Sequence, residues 1–352
     1  MKRKETGRLI RVTHERFSLY YFNVILAFVK AASPRVRPVV SGGIIGAMRI
    51  VIAGSGAVGG YYGGKLAHAG HEVFFIARGA HLAAIRERGL TIRSIDGDFT
   101  VHPAAGETSA DFGVADLVIV AVKTYDTASA LELFAPSVGP ETRVVSLQNG
   151  VDSEATLARR FGADAVVGGI AFIGAALEEP GVVNHISFGR AMVGPWTEAS
   201  VAAATRIKEA FEEAGVRCKV SDNIVNDLWG KMLWNVGFNA VCALADLPTT
   251  KTTAYPPTLE LSRAAMTEMV RVAEAKGIAL TDEMVEKNLT LTATGGAVYP
   301  STLQDLRAGR RLEVDIFNGR VSALGRELGI PTPANDALSA LTGIRNWIAD
   351  GG

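Results

Sequence analysis

Between residues 48 and 221 the chain alternates short, unbroken apolar runs with stretches of helical spacing. Residues 49–53 are apolar and β-branched almost throughout, the pattern of a strand buried on both faces. A glycine-rich turn from Gly54 to Gly59 leads into a helical stretch that ends near Ala69 and is closed by Gly70. Residues 71–77, 117–122 and 144–147 read as further strands, separated by helical or turn-rich stretches. Strands are also predicted over 165–173, 181–186 and 216–220, with an amphipathic helix at 200–214. Such alternation implies an α/β fold, with an N-terminal Rossmann-type, doubly wound parallel sheet.

After Ser221 strand signals vanish and helical patterns run over 223–245, 257–276, 281–291, 313–328 and 334–348. Pro331 and Pro333 mark the break before the last helix, with Thr332 as N-cap and Pro333 at the first helical position. A length of 352 residues suits about two domains. The expected division is a nucleotide-binding domain over 48–221 and an all-helical C-terminal domain over 222–352. No internal repeat is visible.

Apolar residues make up 48% of the chain and charged ones 20%, enough to bury a large core. Lysine plus arginine and aspartate plus glutamate both number 36, so no overall basic excess points to nucleic acid or a membrane surface. Cys218 and Cys242 cannot make a disulfide framework and fit a reducing cytoplasm. His68, His71 and His81 share a region but match no metal-site pattern, so no metal is expected. The neutral total hides an asymmetry: residues 1–47 hold nine basic and two acidic residues, a balance of +7. Their apolar run at 20–29 is about half a membrane span. A basic segment followed by an apolar run reads as a signal or transit peptide, or as translation from an upstream start with Met48 as the functional beginning. The second reading is preferred, and residues 1–47 are expected to be unstructured and outside the chemistry.

Gly54-x-Gly56-x-x-Gly59 stands between the first strand and the first helix. There the first glycine makes a tight turn, the second admits a pyrophosphate and the third allows close helix–strand packing. The helix N-terminus offers unpaired N–H groups and partial positive charge to the phosphates. Gly54, Ser55, Gly56, Ala57, Val58 and Gly59 are thus the candidate cofactor-binding turn, against an ordinary structural turn. The second strand ends in Arg78, where a carboxylate would accept from the 2′-hydroxyl of NAD. A guanidinium would instead pair with a 2′-phosphate, which favours NADPH. Lys123, ending the strand at 117–122, points to the same crevice. Read structurally, either cation is a solvated surface residue.

Asp227, Lys231, Asn235 and Asn239 repeat every four residues along a helix whose other positions are almost all apolar. Polar groups in so apolar a helix face partners or a polar cavity, unless the row is the helix's narrow solvent face. Gln148-Asn149-Gly150 follows the fourth apolar run at the carboxyl edge where ligands of such domains sit, although Asn-Gly is also a common turn. Residues 300–304 (Pro-Ser-Thr-Leu-Gln) read as a capping box opening a short helix. Glu313, twelve residues beyond Ser301, falls in the first turn of the next helix, where the macrodipole favours its ionised form.

Taken together these pieces resemble the ketopantoate reductases (2-dehydropantoate 2-reductases). They are the glycine turn, Arg78, Val122-Lys123-Thr124, Gln148-Asn149-Gly150, Lys231-x-x-x-Asn235-x-x-x-Asn239, Ser301-Thr302-Leu303-Gln304-Asp305, and the run from Glu313 to Gly319. The resemblance covers about 300 residues, from Met48 to the end. It implies NADPH-dependent reduction of ketopantoate to pantoate, a step toward pantothenate, by a cytoplasmic monomer or homodimer. The partner is then a small-molecule 2-oxo acid, with no nucleic acid or membrane. Lys231 would be the general acid, with Glu313 needed for activity and interacting with it. Asn235 and Asn239 would bind the substrate's polar groups, Ser301 its carboxylate or hydroxyl, and Asn149 would lie between nicotinamide and substrate. Two departures bear on the substrate. Relatives usually continue the second asparagine as Asn-Pro-Leu-Thr-Ala-Leu, where this chain has Asn239-Ala240-Val241-Cys242-Ala243-Leu244; a further asparagine of some members is Thr249. The rivals are a reductase of another 2-oxo acid and a non-catalytic NADP(H)-binding regulator.

Overall fold

The computed structural model describes residues 46–351, and its first strand is β1 (Arg49–Ala53). Ile50 and Ile52 enter one core layer, Val51 and Ala53 the other, and all four are buried. A strand covered on both faces leaves no place for a polar residue, hence the unbroken apolar run. The chain continues through α1 (Ala57–His68), β2 (Glu72–Ile76), α2 (Gly79–Arg88) and three short strands, β3 (Leu90–Ser94), β4 (Phe99–Val101) and β5 (Ala104–Gly106). Then come β6 (Leu117–Val120), α3 (Thr127–Phe134), β7 (Arg143–Ser146) and α4 (Ser153–Phe161). The arms of a long hairpin, β8 (Val166–Glu179) and β9 (Val182–Pro195), precede α5 (Val201–Glu213) and β10 (Arg217–Val220).

These strands form one ten-stranded sheet in the order β4-β3-β9-β8-β7-β6-β1-β2-β5, with β10 also on β9. From β5 to β8 every pairing is parallel, the doubly wound core that the alternation implied. The β8–β9 and β3–β4 pairs are antiparallel, so the whole sheet is mixed. Tyr61, Tyr62 and Leu66 of α1 and Ile207 and Phe211 of α5 fill one face. Phe134 of α3 and Leu157 of α4 fill the other.

Two strand expectations are corrected. The hairpin arms were read as short strands at 165–173 and 181–186, yet each extends over 14 residues. Register shifts at Phe172/Ile173 and Gly174/Ala175 break the two-residue period that would have revealed them. The turn at Pro180-Gly181 has Gly181 at φ +85°, as a proline–glycine turn requires. Strands β3 to β5 had no counterpart in the sequence reading, because they are short and Thr91, Arg93 and Thr100 interrupt their apolar positions.

Beyond β10 the chain is helical: α6 (Ile224–Ala245), α7 (Thr249–Thr252), α8 (Pro256–Ala275), α9 (Asp282–Thr294), α10 (Ser301–Arg307), α11 (Asn318–Leu328) and α12 (Pro333–Ala349). The described residues divide into two compact units, one reaching Met232 and the other beginning at Leu233. The sequence texture changes earlier, near residue 221, where the strands end. Within the second unit α8 packs against α9, α11 and α12. Gly237 of α6 lies so close to Met266 of α8 that a Cβ would collide with it. Thr332 and Pro333 do open α12, but the cap is remote. The Glu268 carboxylate accepts from the N–H groups of Ala334 and Asn335 at 2.8 and 3.0 Å.

Among the described residues no helix is long and apolar enough to cross a membrane, and no group of three or more His, Cys, Asp or Glu could hold a metal. Cys218 and Cys242 are free and buried. The expectations for residues 1–45 lie outside the described residues.

Candidate active site

The glycine turn joins β1 to α1 beside the carboxyl end of β6, where the winding reverses direction. Gly54 has φ +102°, and a Cβ there would lie 2.6 Å from the Val122 nitrogen. A Cβ on Gly59 would run into the Gly54 carbonyl oxygen and Ile52. Gly56, the N-cap of α1, has nothing within 4 Å of its added Cβ, so its backbone can be approached from outside. Ser55 is buried, while Ala57 and Val58 are partly buried at the helix start. Two glycines set by packing and one left open suit a pyrophosphate at a helix N-terminus.

Arg78 follows β2 as the N-cap of α2; its side chain is 87% exposed and lies 3.8 Å from Asp126. Lys123 precedes the 3-10 turn Thr124–Asp126 after β6. His81, weighed in the sequence only as a metal ligand, lies on the first turn of α2. Its Nε2 bonds the Ser55 carbonyl at 2.8 Å, and its Nδ1 accepts from the Gly181 N–H at 2.9 Å. This pattern specifies the neutral Nε2-H tautomer. Burial holds the imidazole below its usual pKa, with the Ser55 bond acting the other way.

Gln148 donates from Nε2 to the Val122 carbonyl at 3.0 Å and to Thr127 Oγ1 at 2.8 Å. It thereby ties the carboxyl ends of β6 and β7 together and sets the backbone of Asn149. Lys231, in the second turn of α6, donates to Asn149 Oδ1 and to the Ala171 carbonyl, both at 2.9 Å. Its Nζ also lies 5.9 Å from the Phe172 ring centroid. Two strand spacings, about 10 Å, separate β7 from β1 and the glycine turn. A fixed ammonium therefore stands on the carboxyl edge of the sheet that also carries the glycine turn.

The polar row on α6 is not a solvent face. Asp227, Asn235 and Asn239 are 2%, 7% and 1% exposed. Ser221 Oγ donates to Asp227 Oδ2. Burial pushes the Asp227 carboxyl up to about 6, with the Ser221 bond acting the other way. Nδ2 of Asn235 and both Nδ2 and Oδ1 of Asn239 have no hydrogen-bond partner among the described residues. A buried amide left unpaired costs about 1–3 kcal/mol, which makes both residues candidates for a ligand contact.

Two local expectations in the helical unit are corrected. Ser301 is the first residue of α10, after Pro300 at the N-cap, and makes no capping bond. The expected box fails because the Gln304 side chain turns back to the Tyr299 carbonyl. Ser301 is exposed. Glu313 is buried but precedes a 3-10 turn, Val314–Ile316, rather than sitting in the first turn of α11. Phe317, at φ −113° and ψ −108°, interrupts the backbone between them.

One further ionisable group went unnoticed. Glu154, the second residue of α4, is turned into the unit's interior at 1% exposure. A signal existed: Glu154, Leu157 and Phe161 share one helical face.

Two family models, described as Ketopantoate reductase PanE/ApbA and its C-terminal counterpart, match residues 50–198 and 223–345. The chain belongs to the ketopantoate reductase family. The ketopantoate reductases are oxidoreductases, and the family together with a Rossmann-type fold implies a nicotinamide cofactor. The 2-dehydropantoate 2-reductase of Halobacterium salinarum is 36% identical over 299 residues, covering 84% of this chain and 97% of its own. The enzyme of that name from Mesorhizobium japonicum is 31% identical over 316 residues, with 84% and 96% covered. In structure, a PanE/ApbA family ketopantoate reductase from Ralstonia eutropha superposes with a TM-score of 0.79 at 35% identity, over 86% of this chain and 100% of its own. A D-mandelate dehydrogenase in ternary complex with NADH and anilino(oxo)acetate gives a TM-score of 0.80 at 25% identity, over 86% and 99%.

Proposed function

We propose that the chain reduces ketopantoate to pantoate with NADPH, and that Lys231 supplies the proton. The observation carrying this reading is the Lys231 ammonium, held at 2.9 Å by Asn149 and Ala171 on the carboxyl edge of the sheet.

Residues 54–59 would hold the pyrophosphate, and Arg78 with Lys123 the 2′-phosphate. When bound, the reduced nicotinamide supplies a hydride to C2 of the keto acid. As negative charge grows on the ketone oxygen, Lys231 Nζ donates a proton to it. An N–H bond breaks, an O–H bond forms, and the neutral amine recovers a proton from solvent. Acid catalysis of this kind contributes about 10²–10⁴ in rate. Asn149, already bonded to the ammonium, aims it and would lie between nicotinamide and substrate. Asn235 and Asn239 follow Lys231 at steps of about 6 Å along the helix. Their unpaired amides would bind the substrate's carboxylate and hydroxyl groups, joined by Ser301. Glu313 would act on the same ammonium, favouring its charged form.

A second reading, a reductase of a different branched or aromatic 2-oxo acid, draws on residues 240–244 and Thr249 and on the D-mandelate dehydrogenase likeness. The test follows the absorbance of NADPH, and of NADH in parallel, with ketopantoate beside a panel of 2-oxo acids. Ketopantoate with NADPH is expected to give the largest kcat/KM. Another acid preferred more than tenfold would transfer the assignment to it. Tight NADPH binding with no turnover would make the protein a sensor.

A further inference from the structure

Glu154 lies in the same compact unit as Lys231, and no role assigned so far uses it. Among the described residues neither carboxyl oxygen closes a hydrogen bond. The backbone N–H groups of Gly169 and of Glu154 itself are turned toward the carboxyl without closing a full bond to it. The placement follows from the sheet. The registered pairing of β7 with β8 ends at Val167, and the Ser146 carbonyl and Leu147 side chain at the end of β7 still lie against Gly169. Gly169 and Ala171 are two residues apart on β8, so their backbone groups face the same way. The Ala171 carbonyl takes the Lys231 ammonium, and the Gly169 N–H faces Glu154. Two alternate residues of β8, Gly169 and Ala171, therefore meet the buried carboxyl and the cation on the same side of the strand.

The charged groups acting on Glu154 are Lys231, which favours its carboxylate, and Asp152 on the preceding loop, which opposes it. Burial is the largest influence and pushes the carboxyl up to about 7. A carboxyl so placed changes charge near neutral pH.

We propose that Glu154 is a positioning residue for the charge on Lys231, an interior carboxylate that holds the ammonium protonated and favours its reprotonation after each turnover. This rests on the reading of Lys231 as proton donor. The proton itself comes from solvent, so no further reactant is involved. Because the two groups are coupled, each shifts the titration of the other.

The test is the pH dependence of kcat/KM in wild type and Glu154→Gln. With the carboxylate gone, the alkaline limb is expected to move to lower pH by about one unit, so the variant's deficit grows about tenfold toward alkaline pH. A loss by the same factor at every pH would mean packing alone and would overturn the proposal. Should Glu154→Gln fail to fold, a second measurement uses the native carboxyl. Its protonated stretch is followed by infrared difference spectroscopy against pH in wild type and Lys231→Met. Removing the cation is expected to raise the titration midpoint, and an unmoved midpoint overturns the coupling. The infrared result is independent of turnover, so a Lys231→Ala variant that stays active would sink the proton-donor reading and leave the coupling measurable.

Discussion

Asn239 separates a binding site from a merely tolerated polar residue. Both polar atoms of its side chain are buried without partners among the described residues, at 1% exposure. Unpaired buried polar groups cost about 1–3 kcal/mol in proteins. Leucine branches at the same carbon and carries no polar atom, but it adds volume to a packed helix, and overpacking returns part of the gain. The expected net stabilisation for Asn239→Leu is about 1–2 kcal/mol. At roughly 3–4 °C per kcal/mol for a unit of this size, the Tm should rise by about 3–8 °C. Activity should move the opposite way. Losing an amide hydrogen bond to a charged substrate removes about 1.5–3 kcal/mol, a fall of roughly 10- to 10²-fold in kcat/KM. Differential scanning calorimetry of the apoprotein and steady-state kinetics with saturating NADPH measure the two effects. A lower Tm together with kcat/KM within threefold of wild type would refute the reasoning, because Asn239 would then be structural.

Lys231→Ala should cut kcat at least about 10²-fold with little change in NADPH affinity by fluorescence titration; a loss under tenfold removes Lys231 from the acid role. Arg78→Glu should weaken NADPH far more than NADH, and equal weakening of both would count against a 2′-phosphate contact. Asp227→Asn should flatten the dependence of stability on pH. The folded carboxyl sits at about 6 against an ordinary 3.8, so between these values the folded state binds more protons than the unfolded one. Wild-type stability should therefore fall as pH rises through that window, by up to about 3 kcal/mol from this group. Urea unfolding of both proteins at pH 4 and pH 7 measures it, and parallel pH profiles would exclude Asp227 as the cause.

The parts of the molecule written in local pattern were legible. Strand β1 and the glycine turn declare themselves through an unbroken apolar run and fixed glycine spacing, and the polar row on α6 through its four-residue step. Features set by distant partners were not. The capping box at Ser301 failed because Gln304 turns back to Tyr299 instead of the helix start. The cap of α12 comes from Glu268, some sixty residues earlier in the chain, which no local motif signals. Glu154 drew no expectation from the sequence, because its burial depends on the strand packed behind α4. The hairpin arms were underestimated because bulges reset their alternation.

The imidazole of His81 acts as a splint, fastening the Ser55 carbonyl to the Gly181 amide with one nitrogen giving and the other receiving. Only the uncharged ring can do both. In the proposed nucleotide site this splint would place the ordering of the turn in folding, instead of at every encounter. Acidification would loosen the glycine turn from behind, with no residue of the turn itself having changed its charge.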